Sequence, residues 1–156
     1  MTTQASQQVA ASNRPKVKQI DPRGPRFGAA ITTVVLALIL VLGPASPIAA
    51  VLLTIQILAF AAGSLFGLQA QPYGWIYRTF VRPRLGPPSE LEDQAPPRFA
   101  QAVGLVFGLV GAAGLLLGLD VLFYVAIGMA LAAAFLNAAF NFCLGCEMYL
   151  LFTRIG

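Results

Sequence analysis

The sequence predicts an all-α membrane protein: four transmembrane helices in two helical hairpins, with a short interfacial helix in the middle cytoplasmic loop. Three observations lead to this fold class. Hydrophobic residues make up 58% of the chain and charged residues only 10%, a balance far from that of a soluble domain. Four apolar runs approach the roughly 20 residues that a helix needs to cross the hydrocarbon layer. All the basic residues lie in alternate segments between those runs.

The composition excludes several classes of function. The chain contains no histidine, which removes the commonest metal ligand, the usual general base near neutral pH, and the Ser-His-Asp and Cys-His catalytic arrangements. We therefore expect no cofactor and no metal. The net charge is +4, but basic residues beside apolar spans are ordinary topology signals and contacts to lipid headgroups. We expect the lipid bilayer as a partner, and no nucleic acid.

The chain divides into a tail and one domain. Residues 1–19 are polar and lack the apolar stretch and cleavage site of a secretory signal peptide. We predict a disordered cytoplasmic tail over residues 1–19 and a four-helix transmembrane domain over residues 20–156.

The four predicted spans cover about residues 27–42, 48–68, 99–117 and 121–142. Two prolines and a glycine within Gly43-Pro44-Ala45-Ser46-Pro47 indicate a tight reversal between the first two spans, because a continuing helix does not tolerate them. Gly118-Leu119-Asp120 is the only interruption between the last two. It predicts a second hairpin with a minimal turn, and a single overlong helix is the alternative.

The basic residues predict the orientation of the domain. They precede the first span, lie between the second and third, or follow the fourth: Arg14, Lys16, Lys18, Arg23, Arg26, Arg78, Arg82, Arg84, Arg98 and Arg154. Cytoplasmic loops accumulate such cations. We therefore expect a multi-pass protein of the plasma membrane with its N- and C-termini in the cytoplasm and both hairpin turns outside.

A short internal repeat supports the two-hairpin arrangement. Pro25-Arg26-Phe27-Gly28-Ala29 opens the first hairpin much as Pro97-Arg98-Phe99-Ala100 opens the second. Two copies entering from the same side would be related by an axis along the membrane normal. The alternative is that each motif is an independent helix start, since proline suits the first turn and arginine suits the interface.

The loop between the hairpins has two parts. Apolar and aromatic residues fall on one face at helical spacing, with arginines on another, which predicts a short helix in the headgroup layer: Tyr73, Ile76, Tyr77, Phe80 and Val81, with Arg78 and Arg82. Trp75 fits the same interfacial belt, and Arg84 adds charge. The following segment is rich in proline and contains the acidic residues Glu90, Glu92 and Asp93. It is interpreted as a docking surface for a partner or, alternatively, as a solvated linker.

Cys143-Leu144-Gly145-Cys146 is the reactive constellation of the sequence. Two cysteines at this spacing lie close enough for a reducible disulfide, which suits exchange chemistry. If the fourth span continues through the pair, the helix dipole disfavours a thiolate, as does neighbouring Glu147. If Gly145 breaks the span and Cys146 begins a new helix, the dipole favours a thiolate instead. A further alternative is that the two are only small buried side chains.

Two features of the spans predict helix packing. Asn137 and Asn141 share a face of the fourth span and could hold helices together, with Gln56 as a possible partner. Small residues repeat every four positions in the third span at Ala100, Gly104, Gly108 and Ala112. Such a face lets another helix approach closely, either within the bundle or in a homodimer.

The sequence also resembles a known family. The resemblance covers nearly everything after the tail and rests on three segments: Asp21-Pro22-Arg23-Gly24-Pro25-Arg26-Phe27, Arg82-Pro83-Arg84-Leu85-Gly86-Pro87-Pro88 with Glu90-Leu91-Glu92-Asp93, and Phe140-Asn141-Phe142-Cys143-Leu144-Gly145-Cys146-Glu147. On these residues the chain resembles the bacterial membrane family labelled domain of unknown function 4395. The resemblance implies an association with thioredoxin-like proteins and sulfurtransferases.

We therefore predict a membrane thiol protein in which Cys143 and Cys146 cycle between dithiol and disulfide. The pair exchanges electrons or sulfur with a soluble thioredoxin-like or sulfurtransferase partner at the cytoplasmic face, and the arginines of the loop steer an acidic partner. Two other hypotheses remain open: a non-catalytic anchor or assembly subunit, and a small permease for a thiophilic metal or sulfur species.

Overall fold

A computed structural model describes residues 19–86, 92–93, 95–140 and 142–155 of the chain. The helices are α1 (Arg23–Leu42), α2 (Pro47–Leu65), α3 (Pro72–Ile76), α4 (Arg82–Leu85), α5 (Ala95–Leu117), α6 (Asp120–Phe140) and α7 (Leu144–Ile155). A 3₁₀ turn covers Leu68–Ala70, a π-helical turn covers Tyr77–Val81, and two short strands, β1 (Gln19–Ile20) and β2 (Glu92–Asp93), pair antiparallel.

The predicted four-span helical fold is confirmed. Helices α1, α2, α5 and α6 are each long and apolar enough to cross a membrane by length and composition. Helices α1 and α5 begin earlier than predicted because their prolines lie in the first turn, where the missing N–H has no helical partner to lose. Helix α2 ends earlier, at Leu65, and Gly67 then takes a φ of 97°. Helix α6 also ends earlier, at Phe140.

One tight turn joins the two helices of each hairpin. In the first, Gly43 takes a φ of 81°, and the Ser46 hydroxyl caps α2 by accepting the Ala49 N–H at 3.4 Å. In the second, Gly118 takes a φ of 73°, and the Leu119 N–H donates to the Gly114 carbonyl at 2.8 Å. Because the chain reverses at Gly118, the alternative of a single overlong helix is wrong.

The four spans form a bundle in which α1 packs mainly on α6, and α2 on α5. The core consists of side chains from the facing stripes, including Leu36, Ile39, Leu53, Phe123 and Ile127. Large apolar side chains such as Val41 and Leu116 remain more than four-fifths exposed on the outside. Such an exterior suits lipid as the surrounding solvent.

The two Pro-Arg-Phe motifs make equivalent contacts. Arg26, at the start of α1, donates from Nε to the Ala138 carbonyl near the end of α6 at 3.1 Å. Arg98, at the start of α5, donates from Nε to the Ser64 carbonyl near the end of α2 at 2.8 Å, and from Nη2 to Leu65 at 2.9 Å. Each arginine thus satisfies carbonyls that the end of a helix leaves unpaired. The contacts match two hairpin copies related by an axis along the membrane normal. We call this end of the bundle, where α1 and α5 begin, the arginine end.

The segment from Pro72 to Leu85, the loop helix, is helical as predicted, but its two tyrosines face the protein. The Tyr73 hydroxyl donates to Gln56 Oε1 at 2.8 Å, and Gln56 Nε2 lies 3.4 Å from the Thr32 hydroxyl. Gln56 is fully buried in these contacts. Its possible pairing with Asn137 therefore has no support in the structure, and Asn141 lies outside the described residues. The outer face carries Trp75 and Phe80, which are 55% and 59% exposed.

The predicted tail lies almost entirely outside the part of the chain that the structure describes. Of the expected disordered residues 1–19, residues 1–18 lie outside the described part of the chain. Gln19 pairs with Asp93, and Ile20 with Glu92, in the two-strand ladder. The backbone of Glu92 and Asp93 is therefore held beside the segment that precedes α1.

Candidate functional site

The cysteine pair lies where the chain leaves the fourth span and starts a new helix. Helix α6 ends at Phe140 and α7 begins at Leu144. The sequence left open a break at Gly145, but the structure places the break before Cys143. The pair therefore lies at the N-terminal end of α7 and not at the C-terminal end of α6.

Cys143 caps the first turn of α7. Its Sγ accepts the Cys146 N–H at 3.1 Å, and its carbonyl accepts the Glu147 N–H at 3.0 Å. Unpaired N–H groups and the helix dipole give this end of a helix partial positive charge. In a reduced pair, the Cys146 N–H and the helix dipole would stabilise negative charge on the Cys143 sulfur.

The two sulfur atoms are joined in a disulfide, and the Cα atoms lie 5.1 Å apart. Both side chains are partly buried. The pair is therefore neither sealed in the core nor fully open to water, which is compatible with access by a second molecule.

Helix α7 is fixed against the start of α5. Gly145 packs on Ala100 so closely that a Cβ added to it would lie 2.6 Å from the Ala100 Cα. Phe99 forms ring contacts with Tyr149 at 5.9 Å and with Phe152 at 6.2 Å between centroids. These contacts hold the cysteine pair at the arginine end of the bundle.

A cavity of about 590 Å³ opens beside the cysteines and extends between the spans. Cys143, Cys146 and other residues of α7 line one part of it, and residues of α1, α2, α5 and α6 line the rest. Its polar lining includes Thr32, Gln101 and Asn137. The Gln101 Oε1 atom is buried without a hydrogen-bond partner within the described part of the protein.

The small-residue face of α5 is used inside the bundle. A Cβ on Gly104 would lie 2.6 Å from the Phe60 ring, and one on Gly108 would lie 3.0 Å from Ile57. Both neighbours belong to α2. Since this face is occupied, the predicted homodimer has no support from it and stays a prediction. Asn137 lines the cavity, and Asn141 lies outside the described residues.

A polar network that the sequence did not reveal ties α1 to the loop helix. Asp21 accepts hydrogen bonds from the Arg23 guanidinium at 3.0 Å and the Tyr77 hydroxyl at 2.8 Å, and Arg82 Nε lies 4.0 Å away. Arg23 also donates to the Gly86 carbonyl at 2.9 Å. Asp21 and Arg23 are more than fifty residues from Tyr77 and Gly86 in sequence, so no local pattern could indicate the network.

The network sets the charge state of its acid. Burial alone would raise the pKa of Asp21, but the hydrogen bonds from Arg23 and Tyr77 outweigh it and hold the pKa below its ordinary value. Burial, with the hydrogen bond to Asp21, raises the pKa of Tyr77. The carboxylate stays ionised and the phenol stays protonated at neutral pH.

The predicted partner surface is only partly available. Arg78 donates to the Gln69 carbonyl at 2.7 Å, Arg82 faces Asp21, and Arg84 is exposed. Trp75 contacts Phe80 edge to face at 6.0 Å. Glu90 lies outside the described residues, whereas Glu92 and Asp93 form β2. The loop helix packs on α1 and α2, whereas α7 packs mainly on α5, so the structure does not join this surface to the cysteines.

No group of three or more His, Cys, Asp or Glu side chains is arranged to hold a metal ion in the part of the chain that the structure describes. The chemistry that this site offers is that of two neighbouring sulfur atoms beside an apolar cavity.

Comparison with known proteins supports the family resemblance over nearly the whole chain. Neither a curated protein nor a solved structure matches the sequence. One family model matches residues 20–154, a range that includes every span, the loop helix and the cysteine pair. The chain therefore belongs to the family described as Domain of unknown function (DUF4395).

Proposed function

We propose that the protein is a membrane thiol-disulfide exchange component in which Cys143 and Cys146 cycle between disulfide and dithiol. The observation that carries this proposal is the position of the pair at the start of α7, with the Cys146 N–H 3.1 Å from Cys143 Sγ. A thiolate in that position is stabilised as a nucleophile and as a leaving group.

The exchange passes through a mixed disulfide on Cys143. A partner thiolate attacks the Cys143 sulfur, the Cys143–Cys146 bond breaks, and Cys146 leaves as a thiolate that takes up a proton. A second partner thiolate then attacks its own mixed-disulfide sulfur and displaces Cys143. The partner gains a disulfide and the pair gains two electrons and two protons, and each step is reversible.

The partner in this proposal is a soluble thioredoxin-like protein or a sulfurtransferase, since both present reactive sulfur on a water-soluble surface. Helix α7 supports such an encounter because Cys143 and Cys146 are both partly accessible beside exposed Leu144 and Glu147. Arg84 is the exposed cation of the loop helix available to steer an acidic partner, because Arg78 and Arg82 are engaged within the protein.

The bundle is assigned to the bacterial plasma membrane, with the arginine end in the cytoplasm. Arg26 and Arg98 at the starts of two spans, and the arginines of the loop helix, support this orientation through the excess of cations on cytoplasmic segments. The cysteine pair then faces the compartment that contains soluble thiol proteins.

Trapping tests the proposal. In membranes carrying Cys146→Ser, Cys143 attacks a partner disulfide but has no neighbouring thiol to release it, so a mixed disulfide accumulates that reductant removes. Cys143→Ser is the matched control. It also leaves a single cysteine, Cys146, but removes the sulfur that accepts the Cys146 N–H. No adduct on Cys146→Ser, or equal adducts on both variants, would contradict exchange through Cys143. Replacing both cysteines with alanine separates this function from an anchor, which tolerates the change.

A further inference from the structure

The cavity beside the cysteines has the lining of a site for a neutral, largely apolar molecule. Its volume of about 590 Å³ falls within the range of roughly 300–1,000 Å³ that is usual for small-molecule sites. Apolar side chains, alanines and prolines make up most of the wall, and Glu147 is the one charged residue among its lining residues in the described chain. The Glu147 residue is exposed. An ionic ligand would have no buried counter-charge there.

The few polar groups in the wall can orient such a molecule. Gln101 lines this cavity. Its buried Oε1, which has no hydrogen-bond partner within the described residues, lies beside Gly63 of α2. Asn137 from α6 and Thr32 from α1 line the same cavity, and the Thr32 hydroxyl lies 3.4 Å from Gln56 Nε2. Amide and hydroxyl groups in an apolar wall suit a ligand that carries carbonyl or hydroxyl oxygens on an apolar ring.

The chemistry of the adjoining disulfide further limits the chemical class of ligand that the cavity could bind. A dithiol becomes a disulfide by losing two electrons and two protons, so a redox ligand in contact with it must accept both. Among neutral molecules that dissolve in lipid, quinones accept two electrons and two protons and become hydroquinones, with carbonyl and hydroxyl oxygens in the two states.

We infer that the cavity binds a membrane quinone that oxidises the reduced Cys143–Cys146 pair, an inference that rests on the proposed thiol exchange. The two S–H bonds break and one S–S bond forms. The two electrons and two protons convert the two carbonyl groups of the quinone into the hydroxyls of a hydroquinone. The protein then passes electrons from a soluble dithiol to a lipid-soluble carrier.

Binding is tested first, without redox chemistry. Full-length protein carrying Cys143→Ser and Cys146→Ser is placed in lipid nanodiscs with decylubiquinone, whose fully substituted ring does not add thiols. Retention above that of empty nanodiscs is expected. Ala133 lines the cavity and Ala132 is exposed on the same helix. Ala133→Phe should weaken binding by at least about tenfold, whereas Ala132→Phe should leave it unchanged. Gln101→Leu, of similar volume, should weaken it about fivefold through the lost hydrogen bond.

Electron transfer is then measured with the cysteines present. Pre-reduced protein should form the disulfide and yield one hydroquinone per disulfide, and Ala133→Phe should slow both changes together. Retention equal to that of empty nanodiscs, as expected if the cavity holds only lipid acyl chains, would overturn the inference. Equal binding by Ala133→Phe and Ala132→Phe, or binding without oxidation, would also overturn it. If a mixed disulfide is still trapped on Cys143 in these cases, the thiol exchange is supported and only the quinone inference fails. The trapping experiment therefore distinguishes failure of the inference from failure of the proposed function.

Discussion

Gly145 of α7 contacts Ala100 of α5 at backbone distance, since a Cβ on the glycine would lie 2.6 Å from both Cα and Cβ of the alanine. The glycine falls between the two cysteines, so this contact determines how closely the pair approaches the bundle and its cavity. A larger side chain must push α7 away from α5.

The first prediction concerns that contact. Gly145→Ala should destabilise the protein by about 1–3 kcal/mol, the usual cost of overpacking, and should increase the alkylation rate of the reduced cysteines because α7 moves outward. Gly128→Ala is the matched control, because a Cβ there meets nothing within 4 Å. Thermal unfolding in detergent and timed maleimide labelling measure the two effects. Equal behaviour of the two variants would show that the contact does not position α7.

The second prediction concerns Asp21, whose side chain is 6% exposed. Asp21→Asn should lower stability at pH 7 by about 1–3 kcal/mol, because Arg23 and Tyr77 lose a charged acceptor. The pKa of Asp21 is depressed from its ordinary 3.8, so the stability it contributes is complete above that value. It is lost as the pH falls through the folded-state pKa.

The unfolding temperatures of wild type and Asp21→Asn should therefore converge as the pH is lowered below about 3.8. Asp120→Asn serves as the control, since Asp120 is exposed at the opposite end of the bundle. A difference that grows toward low pH would contradict the network described here.

The third prediction concerns the two repeat arginines. Arg26→Gln and Arg98→Gln should each cost about 1–2 kcal/mol, because each removes a guanidinium that satisfies carbonyls at the end of a neighbouring span. The two changes should be roughly additive, since the arginines have different partners. Unfolding of the single and double variants measures this, with Arg84→Gln on the loop helix as the control. An effect of only one arginine would contradict the equivalence of the two hairpins.

The fourth prediction concerns orientation. In a variant without the native cysteines, Ser46→Cys at the first hairpin turn should react with a membrane-impermeant maleimide in intact cells. Native Cys143, as the single cysteine in Cys146→Ser, should react only after the cells are opened. The reverse pattern would place the arginine end outside and contradict the assignment of the cysteine pair to the cytoplasm.

Much of the fold follows from sequence because lipid imposes simple requirements. Apolar length gives the spans, and the Gly43 and Gly118 turns give the hairpins. The tyrosines of the loop helix illustrate where this reasoning stops. Their helical spacing was evident, but Tyr73 faces the protein because its hydroxyl donates a hydrogen bond to the buried Gln56 Oε1. That partner lies in another helix, and no local pattern indicates it.

The candidate site was also only partly predictable from the sequence. The spacing of Cys143 and Cys146 was informative in sequence, whereas their helical environment had two opposite interpretations. The choice between them depended on where α6 ends and on the close fit of Gly145 against Ala100. The cavity depends on side chains from all four spans, so it emerges only from tertiary packing.

Redox titration of the cysteine pair is the most direct test of cycling between disulfide and dithiol. The full-length protein in nanodiscs is equilibrated with glutathione or dithiothreitol buffers, and free thiols are counted by a mass-tagged maleimide. Disulfide cycling predicts that Cys143 and Cys146 convert together from two labels to none in one two-electron transition, with a slope of about 30 mV per tenfold change in the ratio of oxidised to reduced protein. A pair that stays fully labelled across these buffers, or that loses one label at a time, would contradict it.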